Sequence, residues 1–125
     1  MTDRRTARQR LGDFGERHAA RLLVERGHEI IARGWRCAAG ELDLVTLHGG
    51  ELVFVEVRTR RGERLGTPEE SIDARKAARL LALGDHFLAA HPEYDGRIWR
   101  IDLVALVLDA AGRIVRADHY ENAVY

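Results

Sequence analysis

Two runs of strand-forming residues, 42–47 and 52–57, flank Gly49-Gly50, and this arrangement restricts the chain more than any other stretch. A two-residue hairpin turn needs positive φ at its centre, which glycine reaches without steric cost. The register then follows: Leu47 lies opposite Leu52, Val45 opposite Phe54, Asp43 opposite Glu56 and Glu41 opposite Arg58. Side chains alternate between faces, so these eight share one face of the hairpin. Two carboxylates would then stand with Cβ atoms about 5 Å apart, which destabilises a sheet unless something offsets the repulsion. One offset is a divalent cation, Mg²⁺ or Mn²⁺, because both take hard carboxylate oxygens. The other is solvation at an open sheet end, with Glu41 and Arg58 as an exposed ion pair contributing about 0–1 kcal/mol. Spacing alone leaves both open, since a one-residue slip moves every side chain to the other face.

The flanking sequence supplies partners for that hairpin. Residues 5–26 carry Leu11, Phe14, His18 and Leu22 at helical spacing, with Gly27 as a stop. Gly12 and Gly15 inside this helix each cost up to about 1 kcal/mol relative to alanine, so both suggest close backbone approach. Glu16 lies on a stripe with Gly12, Ala19, Ala20 and Leu23; it either points inward or is an ordinary exposed helix glutamate. Residues 29–36 read as a first strand and 59–66 as a loop. A second helix begins at one of two caps, Thr67-Pro68-Glu69-Glu70 or Asp73, and runs to about His91-Pro92. Residues 99–108 form a nearly continuous apolar strand, buried on both faces, and 113–118 a short last one. Helix, three strands, helix, two strands: this order predicts a mixed sheet flanked by helices, an α/β fold in one domain covering residues 1–125.

Several function classes lose support. The six histidines show no zinc-site spacing, and no serine-hydrolase elbow, P-loop or dinucleotide fingerprint occurs. A lone Cys37 forms no internal disulfide, and neither a secretory leader nor a membrane-length apolar run is present, so a cytoplasmic protein that does not enter membranes is expected. Formal charge is zero, yet its distribution is uneven. Arg4, Arg5, Arg8 and Arg10 cluster at the start and Arg58, Arg60, Arg61 and Arg64 follow the hairpin, bordering Glu41, Asp43, Glu51 and Glu56. An acidic pocket edged by arginine suits a phosphodiester held through a cation, although charge runs are commonly just solvated surface. Asp102, opening the fourth strand, joins the site or is solvated at the strand end.

The acid, the hairpin and Glu56-Val57-Arg58 resemble the signature of the PD-(D/E)XK nuclease superfamily: an acid, a turn, then acid-x-lysine on the next strand. More of the chain is similar to the bacterial YraN-like family, grouped with endonucleases of the archaeal Holliday-junction-resolvase type. The matching pieces are Gly12-x-x-Gly15-Glu16-x-x-Ala19, Gly40-Glu41-Leu42-Asp43-Leu44-Val45, the run from Leu52 to Arg60, Lys76-x-x-Arg79-Leu80 and Arg100-Ile101-Asp102-Leu103-Val104. The resemblance implies a restriction-endonuclease-like fold and a metal-dependent endonuclease acting on DNA, including branched DNA, with a homodimer allowed. It implies that Asp43 and Glu56 hold Mg²⁺ or Mn²⁺ with the Val57 carbonyl, and that Glu16 reaches in from the first helix. Arg58 departs from the pattern, because arginine cannot act as a base where lysine can. Arg58 then stabilises charge on the phosphate, and Lys76, the single lysine, supplies a phosphate contact or the missing ammonium. Arg4, Arg5, Arg60, Arg61 and Arg64 are expected to contact flanking backbone. The alternative is a non-catalytic nucleic-acid-binding module with a degenerate site.

Overall fold

Alternation on the two middle strands sends apolar side chains to both sides, so a helix is needed on each face of the sheet. The computed structural model describes residues 2–62, 66 and 72–124. In chain order the elements are α1 (Ala7–Glu25), β1 (Glu29–Cys37), β2 (Gly40–His48), β3 (Glu51–Arg61), α2 (Ala74–Ala90), β4 (Trp99–Leu108) and β5 (Ile114–Val124). The strands form one sheet in the order β1-β2-β3-β4-β5, antiparallel except for the parallel β3–β4 pair that α2 connects. Ala19, Ala20 and Leu23 of α1 cover Leu44, Val53, Val55 and Val104. Leu80, Leu83 and Phe87 of α2 cover Leu42, Val45, Phe54 and Ile101 on the other face. The result is the expected restriction-endonuclease-like α/β architecture. No helix among the described residues is long and apolar enough to cross a membrane.

The hairpin register is as the glycines require. Gly49 and Gly50 take φ of 57° and 82°, and Leu47 pairs with Leu52 and Val45 with Phe54. β4 occupies residues 99–108 and is buried from Ile101 onward, as its unbroken apolar run dictates. The second helix uses Asp73, whose side chain accepts from the Lys76 N–H; Thr67 to Glu70 lie outside the described residues.

Three expectations change. Residues 59–61 are not loop: β3 continues to Arg61 because β4 pairs with it through Arg61↔Leu108, supplying backbone partners that a polar sequence does not advertise. The last strand likewise runs on to Val124 along β4, with register shifts near both ends, well beyond residue 118. The two glycines of α1 separate in role. A Cβ at Gly15 would lie 1.8 Å from Thr59 Oγ1, so the helix can sit on β3 only without a side chain there, whereas Gly12 has nothing within 4 Å.

Asp102 is also not a strand-end acid in water. It is fully buried, because β5 and His28 of the α1–β1 turn close over that stretch of β4. Its oxygens accept from Arg100, His119 and the Asn122 N–H.

Candidate functional site

The β2–β3 ladder ends one step short of its acids. Pairing runs from His48↔Glu51 to Leu44↔Val55, and beyond it the Asp43 carboxylate binds the neighbouring strand itself, Oδ2 accepting the Val57 N–H at 2.8 Å. Glu56 stands beside Asp43 and is 6% exposed. Glu16 comes down from α1, one residue past Gly15, and shares a side-chain hydrogen bond with Asp43. The close approach that Gly15 permits is what brings this glutamate to the sheet. Glu16, Glu41 and Asp43 offer carboxylate oxygens within 4.8 Å of one another.

Positive charge near this cluster is short of the negative. Arg58 Nε lies 3.5 Å from Glu56 Oε1, and Lys76 Nζ of α2 lies 3.6 Å from Oε2. Glu41 pairs with Arg36 at 3.2 Å, not with Arg58 as the extended register predicts, because the ladder has opened before it reaches that pair. Three carboxylates, of Glu16, Asp43 and Glu56, therefore face two cations. Burial pushes Asp43 up to about 7, with Glu16 adding to the rise and the Val57 N–H opposing it. Burial and then the Asp43 charge push Glu56 up to about 7, against the pull of Arg58 and Lys76. Glu16 is raised as well, first by burial. Lys76 is lowered, its burial outweighing the attraction of Glu56. Interacting groups like Asp43 and Glu56 titrate as a unit.

The acids open into a cleft of about 820 Å³ between α1 and β3, lined by Arg8, Gly12, Glu16, Asp43, Glu56, Arg58, Arg60 and Arg61, among others. Gly12 thus keeps the mouth of the cleft free instead of making a close contact. The Arg60 Nε and the Thr59 hydroxyl are buried without a hydrogen-bond partner, and the equally buried Arg58 Nε has the 3.5 Å ion pair with Glu56 but no hydrogen bond. Such groups ordinarily find an acceptor, and here they lie along the wall of a cleft.

The other residues expected to touch nucleic acid fall in different places. Arg4 is exposed ahead of α1 and does not line the cleft. Arg5 is held by Asp3 and Asp13. Arg64 lies outside the described residues. Lys76 meets Glu56 from α2 and is absent from the cleft lining, so its contact is with the acid. Arg8 enters in place of Arg4 and Arg5. Its signal was the four-residue spacing Arg8, Gly12, Glu16, which puts all three on one helix stripe.

A family model described as "Uncharacterised protein family UPF0102" matches residues 15–106. A UPF0102 protein of Roseiflexus castenholzii is 55% identical over 99% of this chain and 98% of its own. UPF0102 proteins of Chloroflexus aurantiacus and Pelotomaculum thermopropionicum are 47% and 45% identical, covering 95% and 94% of this chain and 96% and 97% of theirs.

Proposed function

Because this chain belongs to the uncharacterised protein family UPF0102, whose name states no activity, we propose its function from the chemistry of the cleft: a divalent-metal-dependent endonuclease hydrolysing DNA phosphodiester bonds. Branched DNA as the substrate rests on likeness to Holliday-junction resolvases alone. The observation that carries the reading is the buried, under-compensated set Glu16, Asp43 and Glu56 beside a wall of arginines, Arg58 ion-paired to Glu56 and Arg60 with its Nε lacking a hydrogen-bond partner.

The donor set fits a hard cation. All its atoms are oxygens, and each carboxylate raises the proton affinity of another, a cost that Mg²⁺ or Mn²⁺ would remove. Asp43 and Glu56 would hold the ion, with the Val57 carbonyl beside them. Once bound, it supplies Lewis-acid polarisation of the phosphoryl oxygens and lowers the pKa of water. Water adds to phosphorus and loses a proton, one P–O ester bond breaks, and the departing sugar oxygen takes a proton from solvent water in the open cleft. Glu16 orients the entering water, and its raised proton affinity suits it to take that water's proton. Arg58 places a fixed positive charge where charge develops on the phosphate. Lys76 acts one step back: it holds Glu56 ionised and in place. Arg8, Arg60 and Arg61 bind backbone phosphates on either side.

The direct test incubates purified protein with Mn²⁺ and linear, nicked, flapped and four-way DNA. Cleavage in wild type, lost in Asp43→Asn and Glu56→Gln, is the expected result. The presence of arginine at position 58 favours one other reading, a nucleic-acid-binding module without turnover. That reading gains if all four DNAs are bound, Mn²⁺ strengthens binding through Asp43, and none is cut.

A further inference from the structure

At the opposite end of α1 from the cleft, three further metal-ligating side chains meet. The helix ends in a capping arrangement in which the Gly27 N–H donates to the Val24 carbonyl and the His28 N–H to the Leu23 carbonyl. Gly27 takes φ of 91°, and this six-to-one and five-to-two pattern turns the next residue inward under the helix. His28 is consequently 4% exposed. Asp102 of β4 is fully buried, and the His119 side chain of β5 is 2% exposed. These three residues offer ligand atoms within 4.8 Å of one another.

The surroundings orient each ligand. His28 Nδ1 is 2.7 Å from Thr46 Oγ1, and the His48 ring stacks on His28 at 4.1 Å and 4°, so one nitrogen is engaged and the ring plane fixed. The other, Nε2, is buried and has no hydrogen-bond partner. A histidine whose second nitrogen is tied to an outer-shell oxygen and whose first is left bare is how metal-binding imidazoles are held. On Asp102, Oδ1 takes the Arg100 Nε and Asn122 N–H bonds, while Oδ2 faces His119 Nε2 at 2.8 Å and accepts a longer bond from Arg100 Nη2 at 3.3 Å.

We propose that His28, Asp102 and His119 form a second metal site, distinct from the cleft, that takes a borderline-soft divalent ion of the zinc type. Two imidazoles and one carboxylate suit Zn²⁺ and its spectroscopic stand-in Co²⁺, whereas the all-oxygen cleft suits Mg²⁺ or Mn²⁺. Tetrahedral ligands at about 2.1 Å from zinc lie about 3.4 Å apart, so the widest separation closes by no more than about 1.4 Å. On metal binding the His119 proton moves from Nε2 to Nδ1 and no bond to carbon changes. The charge is shared locally, since Arg100 also pairs with Glu51. Burial excludes substrate, so the role is structural: the ion ties the α1–β1 junction to β4 and β5.

The test adds Co²⁺ and Zn²⁺ to metal-stripped, reduced protein and reads visible absorption, stoichiometry and the unfolding midpoint. One Co²⁺ with d–d absorption of low-coordinate strength is expected. Zn²⁺ at a hundredfold excess over its dissociation constant should raise the midpoint by on the order of 10 °C. His28→Gln and His119→Gln should each weaken binding at least tenfold, while Asp43→Asn, Cys37→Ser and the exposed His86→Gln leave the spectrum unchanged. If the histidine variants fold poorly, wild type alone decides: no Co²⁺ absorption and no Zn²⁺ shift overturn the site and leave a hydrogen-bonded core network. Binding abolished by Asp43→Asn, or retained in His28→Gln and His119→Gln, also overturns it. None of these readouts uses cleavage, so failure of the nuclease proposal is a separate result.

Discussion

Arg58, Lys76 and the Asp43–Glu56 pair determine what the cleft can do, and each makes a separate prediction. If Arg58 contributes charge at the phosphate, Arg58→Ala should lower the cleavage rate by roughly 10²-fold while Arg58→Lys retains or raises it. Single-turnover rates on one DNA substrate distinguish these. Lys76 touches Glu56 and not the cleft, so Lys76→Ala should reduce the rate and displace its acid limb to higher pH. DNA affinity should change little, and Lys76→Arg should recover most of the loss. The acid pair also makes stability depend on pH. Asp43 and Glu56 start from 3.8 and 4.5 and sit at about 7 when folded. Between those values the folded protein holds more protons than the unfolded chain, so the metal-free protein should lose stability from about pH 4 to pH 7 and level off above. His28 works the other way, lowered from 6.5 to about 4 by burial and its histidine neighbours, so it adds stability as pH rises between those values. Comparing wild type with the Asp43→Asn, Glu56→Gln double variant by thermal melts at pH 5 and pH 8 cancels the His28 contribution. The variant should gain on wild type toward pH 8, and Mn²⁺ should restore wild type there; a constant difference without Mn²⁺ would show that the acids are not raised.

The helix α1 is placed by one missing methyl group. Gly15→Ala puts a Cβ 1.8 Å from Thr59 Oγ1, and overpacking of this kind costs about 1–3 kcal/mol, more than the helix propensity that alanine returns. The expected outcome is a lower denaturation midpoint together with lost cleavage, because lifting α1 withdraws Glu16. Thr59→Ala in the same chain should recover part of both. Gly12→Ala is the contrast: with nothing within 4 Å, it should raise stability by up to about 1 kcal/mol. The same helix positions His28 at its other end through the Gly27 cap. The placement of α1 therefore bears on both proposed sites, through Glu16 on the helix and through His28 in the turn that caps it.

Across the whole molecule the charges cancel, with twenty basic and twenty acidic side chains, so affinity for DNA must come from where the arginines stand. Arg8 and Arg60 line the cleft, whereas Arg5 is occupied by Asp3 and Asp13. Each phosphate contact releases about one condensed counterion. Arg8→Ala and Arg60→Ala should each lower the slope of log affinity against log salt by roughly 1, and Arg5→Ala should leave it nearly unchanged. Fluorescence anisotropy over a salt series measures this, and an Arg5 effect equal to that of Arg8 would remove the cleft as the binding surface.

The local patterns were legible in the amino-acid order because their causes lie within a few residues. Gly49-Gly50 set a two-residue turn and hence the register through Leu47↔Leu52 and Val45↔Phe54. The apolar run of residues 99–108 set a strand buried on both faces, and the order helix, three strands, helix, two strands pointed to a mixed sheet flanked by helices. What the order could not show depends on partners distant in sequence. Strand β3 reaches Arg61 only because β4 lies alongside it. Glu41 turns to Arg36 because the ladder opens before Arg58. Gly15 and Gly12 are indistinguishable as letters, and only Thr59 against one and a cleft against the other separates them. His28 lies in the α1–β1 turn, Asp102 on β4 and His119 on β5, with no shared spacing, so no motif could have announced them. Their meeting is decided by the cap of α1 and the β4–β5 pairing, whose energies arise only once the chain is folded.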